Sequence, residues 1–278
     1  MPDLSVTERR FGGLARLYGV SGAERILAAH VVVVGIGGVG SWTVEALARS
    51  GVGRLTLIDL DNVSESNINR QIHALDDTVG MAKVEAMRLR IARINPDCVV
   101  TCIEDFVEPS NWPSLLNGAD VDAVIDACDQ IKAKTAMAAW ALQHKRLFIT
   151  VGAAGGKRLA HQVDIDDLSN TSHDPLLAKL RYNLRREHGA ARDGKKIGVS
   201  CVFSREAVAP PDASCNIANH AQGNGSLNCS GYGSVVSVTA TFGQCAAGWV
   251  LNQISSRKYS RPLQYLAGHF LRRSVKNT

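Results

Sequence analysis

His30-Val31-Val32-Val33-Val34-Gly35-Ile36-Gly37-Gly38-Val39-Gly40 is the stretch that decides the fold. A run of β-branched residues closed by glycine reads as a buried strand. Residues 39–50 follow with the apolar spacing of a helix. Glycines between a strand and a helix let the backbone approach a phosphate, and the helix start offers N–H donors and the positive end of its dipole. By itself the loop says nucleotide or dinucleotide, with a nicotinamide-dependent oxidoreductase as an open alternative.

The same alternation continues outward. Residues 54–59, 99–103, 121–127 and 147–151 read as further strands. Residues 81–93, ended by Asn95-Pro96, and 131–144 read as helices. Strand and helix in turn predict a parallel sheet with right-handed crossovers. Past Gly152 the pattern changes. Residues 157–165 are expected as a strand running against the others, 175–188 as a charged amphipathic helix and 190–197 as a mobile basic loop. Residues 201–204 read as a strand, 213–229 as irregular and 234–254 as an apolar helix. The fold class expected is α/β: a doubly wound, Rossmann-like, mostly parallel sheet with helices on both faces, extended by antiparallel strands in the C-terminal half. Residues 1–254 are expected to form one domain, with a nucleotide-binding half near 28–152 and a substrate half near 153–254, before a basic tail at 255–278.

Bulk composition narrows the class. The chain has 278 residues, 45% hydrophobic and 21% charged, enough for one large α/β domain with a buried core. A net charge of +5 permits a nucleic-acid partner without requiring one. The seven cysteines include no C-x-x-C pair, which argues against a structural zinc site and suits a reducing, cytoplasmic compartment. Residues 1–13 mix acids with bases and lack the apolar core of a signal peptide. Residues 231–254 carry no charge and are long enough for a membrane span, but their Ser, Thr, Gln and Asn content favours a buried helix.

The chemistry-bearing residues come next. Asp59, 19 residues after Gly40, ends the second strand, where a carboxylate reaches ribose hydroxyls. A nicotinamide enzyme would show the same. Asp61, then Ser66-Asn67-Ile68-Asn69-Arg70-Gln71, then Gly80 and Lys83 separate the two. An Arg and a Lys just past the ribose acid suit the concentrated charge of β- and γ-phosphates: Arg70 as a fork and Lys83 as a point charge. Asp126-Ala127-Cys128-Asp129 closes the fourth strand, at the edge where such sheets bind ligands. Asp129 is the candidate Mg²⁺ ligand. Asp126 is open between a ligand-facing and a structural role.

Together these motifs resemble the ubiquitin-activating-enzyme-like superfamily, whose members adenylate a carboxylate. The likeness spans residues 31–129 and places ATP on Gly35, Gly37, Gly38, Gly40, Asp59, Asn69, Arg70, Gln71, Lys83 and Asp129. Within it the chain is similar to the tRNA threonylcarbamoyladenosine dehydratase branch. That likeness rests on residues 10–19, on Asn69-Arg70-Gln71-Ile72-His73-Ala74-Leu75, on Asp174-Pro175-Leu176 with Lys179 and Arg181, and on Cys201-Val202-Phe203-Ser204 with Glu206. Two departures separate it from the sulfur-carrier activators: paired C-x-x-C motifs are missing, and Gly13 stands where those enzymes carry an Arg.

The resemblance implies catalytic roles for Arg70, Lys83 and Asp129, with ATP and Mg²⁺ as cofactors. The implied substrate is a tRNA bearing threonylcarbamoyladenosine. The carboxylate of that nucleoside would be adenylated, and the neighbouring carbamoyl group would close a ring. A homodimer and a cysteine-desulfurase sulfur-transfer partner are the further associations. The alternatives are activation of a ubiquitin-like sulfur carrier, and nucleotide sensing without turnover. Cys229, in Asn228-Cys229-Ser230-Gly231, is open between a reactive thiol and a packed turn residue. Lys179, Arg181, Arg185, Arg186, Arg192, Lys195 and Lys196, with a second basic group at Arg257, Lys258, Arg261, Arg272, Arg273 and Lys276, suit RNA phosphates.

Overall fold

In the computed structural model, residues 6–212 and 232–256 are described. The strands are β1 (His30–Val34), β2 (Arg54–Ile58), β3 (Val99–Ile103), β4 (Ala123–Asp126), β5 (Leu147–Val151), β6 (Val163–Asp167) and β7 (Ser200–Ser204). The helices are α1 (Val6–Phe11), α2 (Gly13–Tyr18), α3 (Val20–Ala28), α4 (Gly40–Arg49), α5 (Lys83–Ile94), α6 (Ile131–His144), α7 (Pro175–Glu187) and α8 (Val236–Ser255).

The strands form one seven-stranded sheet in the order β3-β2-β1-β4-β5-β7-β6. Every pairing is parallel except β6 with β7. The chain reverses direction across the sheet between β1 and β4, which puts a crevice at their carboxyl ends. One point of the expected extension is corrected. β6 alone runs antiparallel, and β7 is parallel to β5. The expected strand at 157–165 also begins later, because residues 160–162 make a 3₁₀ turn first. That turn lies where Lys157 is drawn inward to donate to His173 O (2.9 Å) and Glu206 O (2.5 Å).

The two-residue period of the strands sorts the core. Val31 and Val33 join Leu55, Leu57, Ala123 and Ile125 on one face, under α3, α4, α5 and α8. Val32 and Val34 join Val124 and Phe148 on the other, under α6, α7 and the segment carrying Val107, Trp112 and Leu116. Each buried strand is therefore apolar on both sides, as a doubly covered parallel sheet requires. The outer strand β6 instead carries Asp164, Asp166 and Asp167, charges that discourage edge pairing.

α1, α2 and α3 were not legible in the sequence. Gly12, Gly13 and Gly19 interrupt them, and α2 buries no residue, so no apolar stripe marks it. The uncharged stretch expected as a helix forms α8, whose buried Val238, Phe242, Ala246 and Val250 pack into the first core. Among the described residues, no helix is long and apolar enough to cross a membrane.

Gly243 sets how closely α8 approaches α4. A Cβ there would stand 2.6 Å from Val39 O, 2.9 Å from Thr43 N and 2.9 Å from Trp42 Cβ, none of which can swing aside. Gly243→Ala is therefore expected to destabilise the fold by about 1–3 kcal/mol through overpacking. Chemical denaturation checks this, and a wild-type midpoint would refute the close-packing account.

Candidate nucleotide site

The glycine loop divides its labour. Gly35 takes φ +84°, and a Cβ on it would meet Cys128 N at 2.7 Å. A Cβ on Gly40 would lie 1.7 Å from Gly35 O. These two glycines make the turn and seat α4 against the sheet. Gly37 and Gly38 face outward instead. A Cβ on Gly37 would meet nothing closer than Gln71 Nε2 at 3.9 Å, and one on Gly38 would touch Arg70 Cγ and Thr239 Cγ2 at 3.4 Å. The first turn of α4 begins here, and two of its N–H groups are already used, Ser41 N–H by Gly37 O and Thr43 N–H by Val39 O, both at 3.0 Å.

Asp59 holds the loop from β2. Its carboxylate accepts Ile36 N–H at 2.5 Å and Asp61 N–H at 2.8 Å. Burial raises its pKa above the usual range, and Lys83 opposes that rise. Lys83 opens α5 and is itself buried. Its Nζ donates to the exposed Asp61 carboxylate at 2.7 Å. A point charge on a buried stem thus lies near Asp59, with one solvent-facing partner.

Arg70 rests on its own loop, with Nη1 donating to Ser66 O and Asn69 Oδ1, both at 2.8 Å. Its carbonyl accepts Trp42 Nε1–H at 3.0 Å. Asn69 Nδ2 donates to Ser234 O at 3.1 Å, which ties the loop to the segment entering α8. Trp42, Ser234 and Thr239 were missed in the sequence. No local signal marks them, since Thr239 is one of several polar residues in α8, with Ser237, Thr241 and Gln244.

Gln71 is buried beside Gly37, and its Oε1 has no hydrogen-bond partner among the described residues. The unused amide oxygen, beside Gly37, can accept from a ligand's hydroxyl or amino hydrogen. Asp129 lies just past β4, half-buried, and among the described residues its one hydrogen bond is from Gln130 Nε2 at 3.4 Å. Among the described residues no cluster of three His, Cys, Asp or Glu could hold a metal unaided. One free carboxylate is nevertheless what a Mg²⁺ bound chiefly by phosphates and water needs.

Asp126 takes the structural role. It is fully buried, and its Oδ2 accepts from Lys134 Nζ (3.0 Å) and Thr150 Oγ1 (2.6 Å). Its Oδ1 accepts from Cys128 N (3.2 Å) and Cys128 Sγ (3.1 Å). It faces the protein interior and braces the turn that carries Asp129. Burial raises the thiols of Cys98, Cys102, Cys128, Cys201 and Cys245, so none of these is poised as a thiolate. Cys215, Cys229, the 213–229 stretch expected to be irregular and residues 257–278 of the expected basic tail lie outside the described residues.

His73 sits behind the site with both ring nitrogens buried and without a partner among the described residues. Burial, then Lys83 and Arg90, push its pKa down to about 3. The unfolded imidazole titrates near 6.5, so below that pH the unfolded chain takes a proton that the folded chain refuses. Stability present above pH ~6.5 is lost as pH falls toward about 3. Between pH ~7 and ~5 the loss is about 2 kcal/mol from this group. His73→Leu should flatten the denaturation-versus-pH curve by that amount, and an unchanged slope would sink the assignment.

Known proteins resemble this chain in sequence and in fold. The chain is 45% identical to the tRNA threonylcarbamoyladenosine dehydratase of Escherichia coli (strain K12) over 254 residues, 90% of this chain and 94% of that protein. It is 43% identical to the protein of the same name from Haemophilus influenzae over 253 residues, 90% of this chain and 95% of the other. Among solved structures, E. coli tRNA N6-threonylcarbamoyladenosine dehydratase, TcdA, in complex with ATP matches with a TM-score of 0.80 at 43% identity, over 91% of this chain and 96% of that one. The expected resemblance is borne out over nearly the whole length. A model described as the ThiF family matches residues 11–277, and the chain belongs to that family.

Proposed function

We propose that the chain is an ATP-dependent tRNA threonylcarbamoyladenosine dehydratase. The observation that carries this reading is the outward-facing pair Gly37 and Gly38, with Gln71 and Arg70 beside them, in a chain similar over most of its length to dehydratases of that name. A carboxylate is a poor electrophile because its oxygen leaves badly. Transfer of AMP onto the threonine carboxylate, with loss of pyrophosphate, makes that oxygen leave as part of AMP. The carbamoyl group attached to the same adenosine then attacks the carbonyl, closes the ring and releases AMP. The nucleophile travels with the electrophile, so proximity supplies much of the rate and no enzyme thiol is called for.

The residues divide the work. Asp59 orients the ribose while keeping the glycine loop in register. The glycine loop, at the positive end of the α4 dipole, faces the phosphates. Arg70 and Lys83 neutralise the departing pyrophosphate, Arg70 by turning from Ser66 O and Lys83 by exchanging Asp61 for phosphate. Asp129 would hold Mg²⁺ against the phosphates, and that ion when bound supplies further charge neutralisation. The same reading carries one ATP-binding domain over residues 1–254, a homodimer, a cytoplasmic setting and a cysteine-desulfurase partner.

Mass spectrometry of nucleosides from threonylcarbamoyladenosine-bearing tRNA, incubated with the protein and ATP, tests the reaction. The expected result is loss of one water from that nucleoside together with AMP formation. AMP formed only when a small carrier protein is added would overturn it in favour of sulfur-carrier activation.

A further inference from the structure

α7 starts at the carboxyl edge of the sheet. Its N-cap, Asp174, accepts Leu177 N–H at 2.9 Å and also Ala153 N–H at 2.8 Å, two residues past the end of β5. The helix is 13 residues long, about 20 Å, and so runs from the edge that holds the glycine loop toward the opposite one. Leu176, Leu177, Leu180 and Leu184 face the core. Ala178, Tyr182, Arg185 and Arg186 recur on the outward side at helical spacing.

Two contiguous cavities follow this outer face. One, of about 320 Å³, lies at the helix start against His173, Asp174 and Pro175. The other, of about 430 Å³, is lined by Tyr182, Arg185, Arg186 and Arg192 and shares Ala178 and Arg181 with the first. The bases along it are held in place. Arg185 Nε donates to Ala191 O at 3.0 Å, and Arg192 Nη2 donates to Arg185 O at 3.3 Å. The loop expected to be mobile is tied down at its far end too, where Asp167 accepts Ile197 N–H at 2.9 Å and Gly198 N–H at 2.7 Å.

Tyr182 stands in the middle of this groove with 52% of its surface exposed. Lys179 Nζ and Arg186 Cζ each lie 5.1 Å from its ring centroid. Arg186 also pairs with Glu187. A merely solvated helix face has no use for a half-exposed aromatic ring among so many bases. Cations that track a phosphate backbone around a ring that can take an unstacked base make up the recognition pattern for single-stranded RNA.

We infer that the outer face of α7 is an RNA groove in which Tyr182 stacks a nucleobase of the substrate, while Lys179, Arg185, Arg186 and Arg192 hold the flanking phosphates. This rests on the proposed tRNA substrate and names where its single-stranded loop lies. The base displaces one cation from the ring face. That exchange is favourable, because stacking is worth more than an exposed cation–π contact, and the freed cation gains a phosphate.

The full chain, its Tyr182→Ala, Tyr182→Phe and Arg192→Gln variants, and threonylcarbamoyladenosine-bearing tRNA make the test, with affinity read against salt and dehydration by nucleoside mass spectrometry. Tyr182→Ala should weaken tRNA binding about 5- to 100-fold with an unchanged salt slope, and Tyr182→Phe should keep wild-type affinity. Arg192→Gln should lower the slope by about one. Wild-type affinity in Tyr182→Ala, as an acidic protein partner in the groove would give, overturns the stacking site. So does an equal loss in Tyr182→Phe. If the wild type dehydrates the tRNA in either case, the reaction stands without the groove. Tyr182-dependent RNA binding without dehydration upholds the groove and removes the reaction, and a wild type that does neither removes both.

Discussion

Asp129→Asn is expected to cut ATP-dependent pyrophosphate release by about 10²–10³-fold, the scale seen when one preorganised electrostatic contact to a developing charge is removed. Its thermal unfolding should stay within about 0.5 kcal/mol of wild type. The contrast follows from what Asp129 touches. Its only hydrogen bond among the described residues is a 3.4 Å contact from its neighbour Gln130, so the fold leans on it little. A carboxylate left half-buried and nearly unpartnered just past β4 has its use elsewhere. Stopped assays of pyrophosphate with Mg²⁺ titrated over a wide range separate the roles. If Asp129 holds the metal, high Mg²⁺ restores part of the lost rate. Full activity in the variant would remove Asp129 from the machinery, and a lost fold would return it to the structural class of Asp126.

The comparison of these two acids shows how far the sequence could be read. They are three residues apart, at the end of one strand, and identical in type. Their placement at the carboxyl edge was legible, because strand period and glycine punctuation fix where β4 ends. Their roles were not. Asp126 is drawn inward by Lys134, a residue of the following helix that the sequence motifs do not mark. Only the packing of α6 on the second core brings that ammonium to the strand end. The same limit applies to Trp42, Ser234 and Thr239. Their contacts with the Asn69–Arg70 loop cross up to 169 residues of sequence, and periodicity carries no information over that distance. Conversely, the sheet was readable nearly to its boundaries, since β1, β2, β4 and β5 are buried on both faces and leave unbroken apolar runs. The N-terminal helices were not, since glycines divide them into pieces too short to show a stripe.

The phosphate-facing loop is built to change partners. Arg70 is satisfied by a carbonyl and an amide on its own loop, and Lys83 by an exposed carboxylate. Each partner is exposed enough to return to water when a phosphate takes its place, so little is lost on exchange. Asp59 is different. It is buried, and it holds the glycine turn through Ile36 N–H and its own strand end through Asp61 N–H. Rigid scaffold and exchangeable charge are therefore assigned to different residues.

Lys134→Met should destabilise the protein by about 3–5 kcal/mol, the cost of leaving a buried charge without its partner. Both side chains of the Lys134–Asp126 pair are fully buried, with Nζ and Oδ2 3.0 Å apart. Lys134 spends its remaining donors on Thr150 Oγ1 (3.0 Å) and Val151 O (2.8 Å), so the ammonium ties α6 to the ends of β4 and β5. Burial opposes the charge on Lys134, but Asp126, Cys128 and Asp174 together outweigh it and hold its pKa above the ordinary value. The ion is therefore kept as an ion, and its removal exposes Asp126 to the full penalty of desolvation. Asp126→Asn in the Lys134→Met background takes away the orphaned charge, while its amide oxygen still accepts Cys128 N–H. The double variant should thus regain more than half of the lost stability, a coupling that denaturant titration of the four proteins resolves. A Lys134→Met protein within about 1 kcal/mol of wild type, or strictly additive effects, would mean that the pair contributes nothing as a pair. In the expected case the double variant also separates fold from function. With its stability restored, that variant still lacks the Lys134 contact at the strand end that precedes Asp129. A rise in the Mg²⁺ needed for half-maximal pyrophosphate release would then mark that contact as what positions the Asp129 carboxylate.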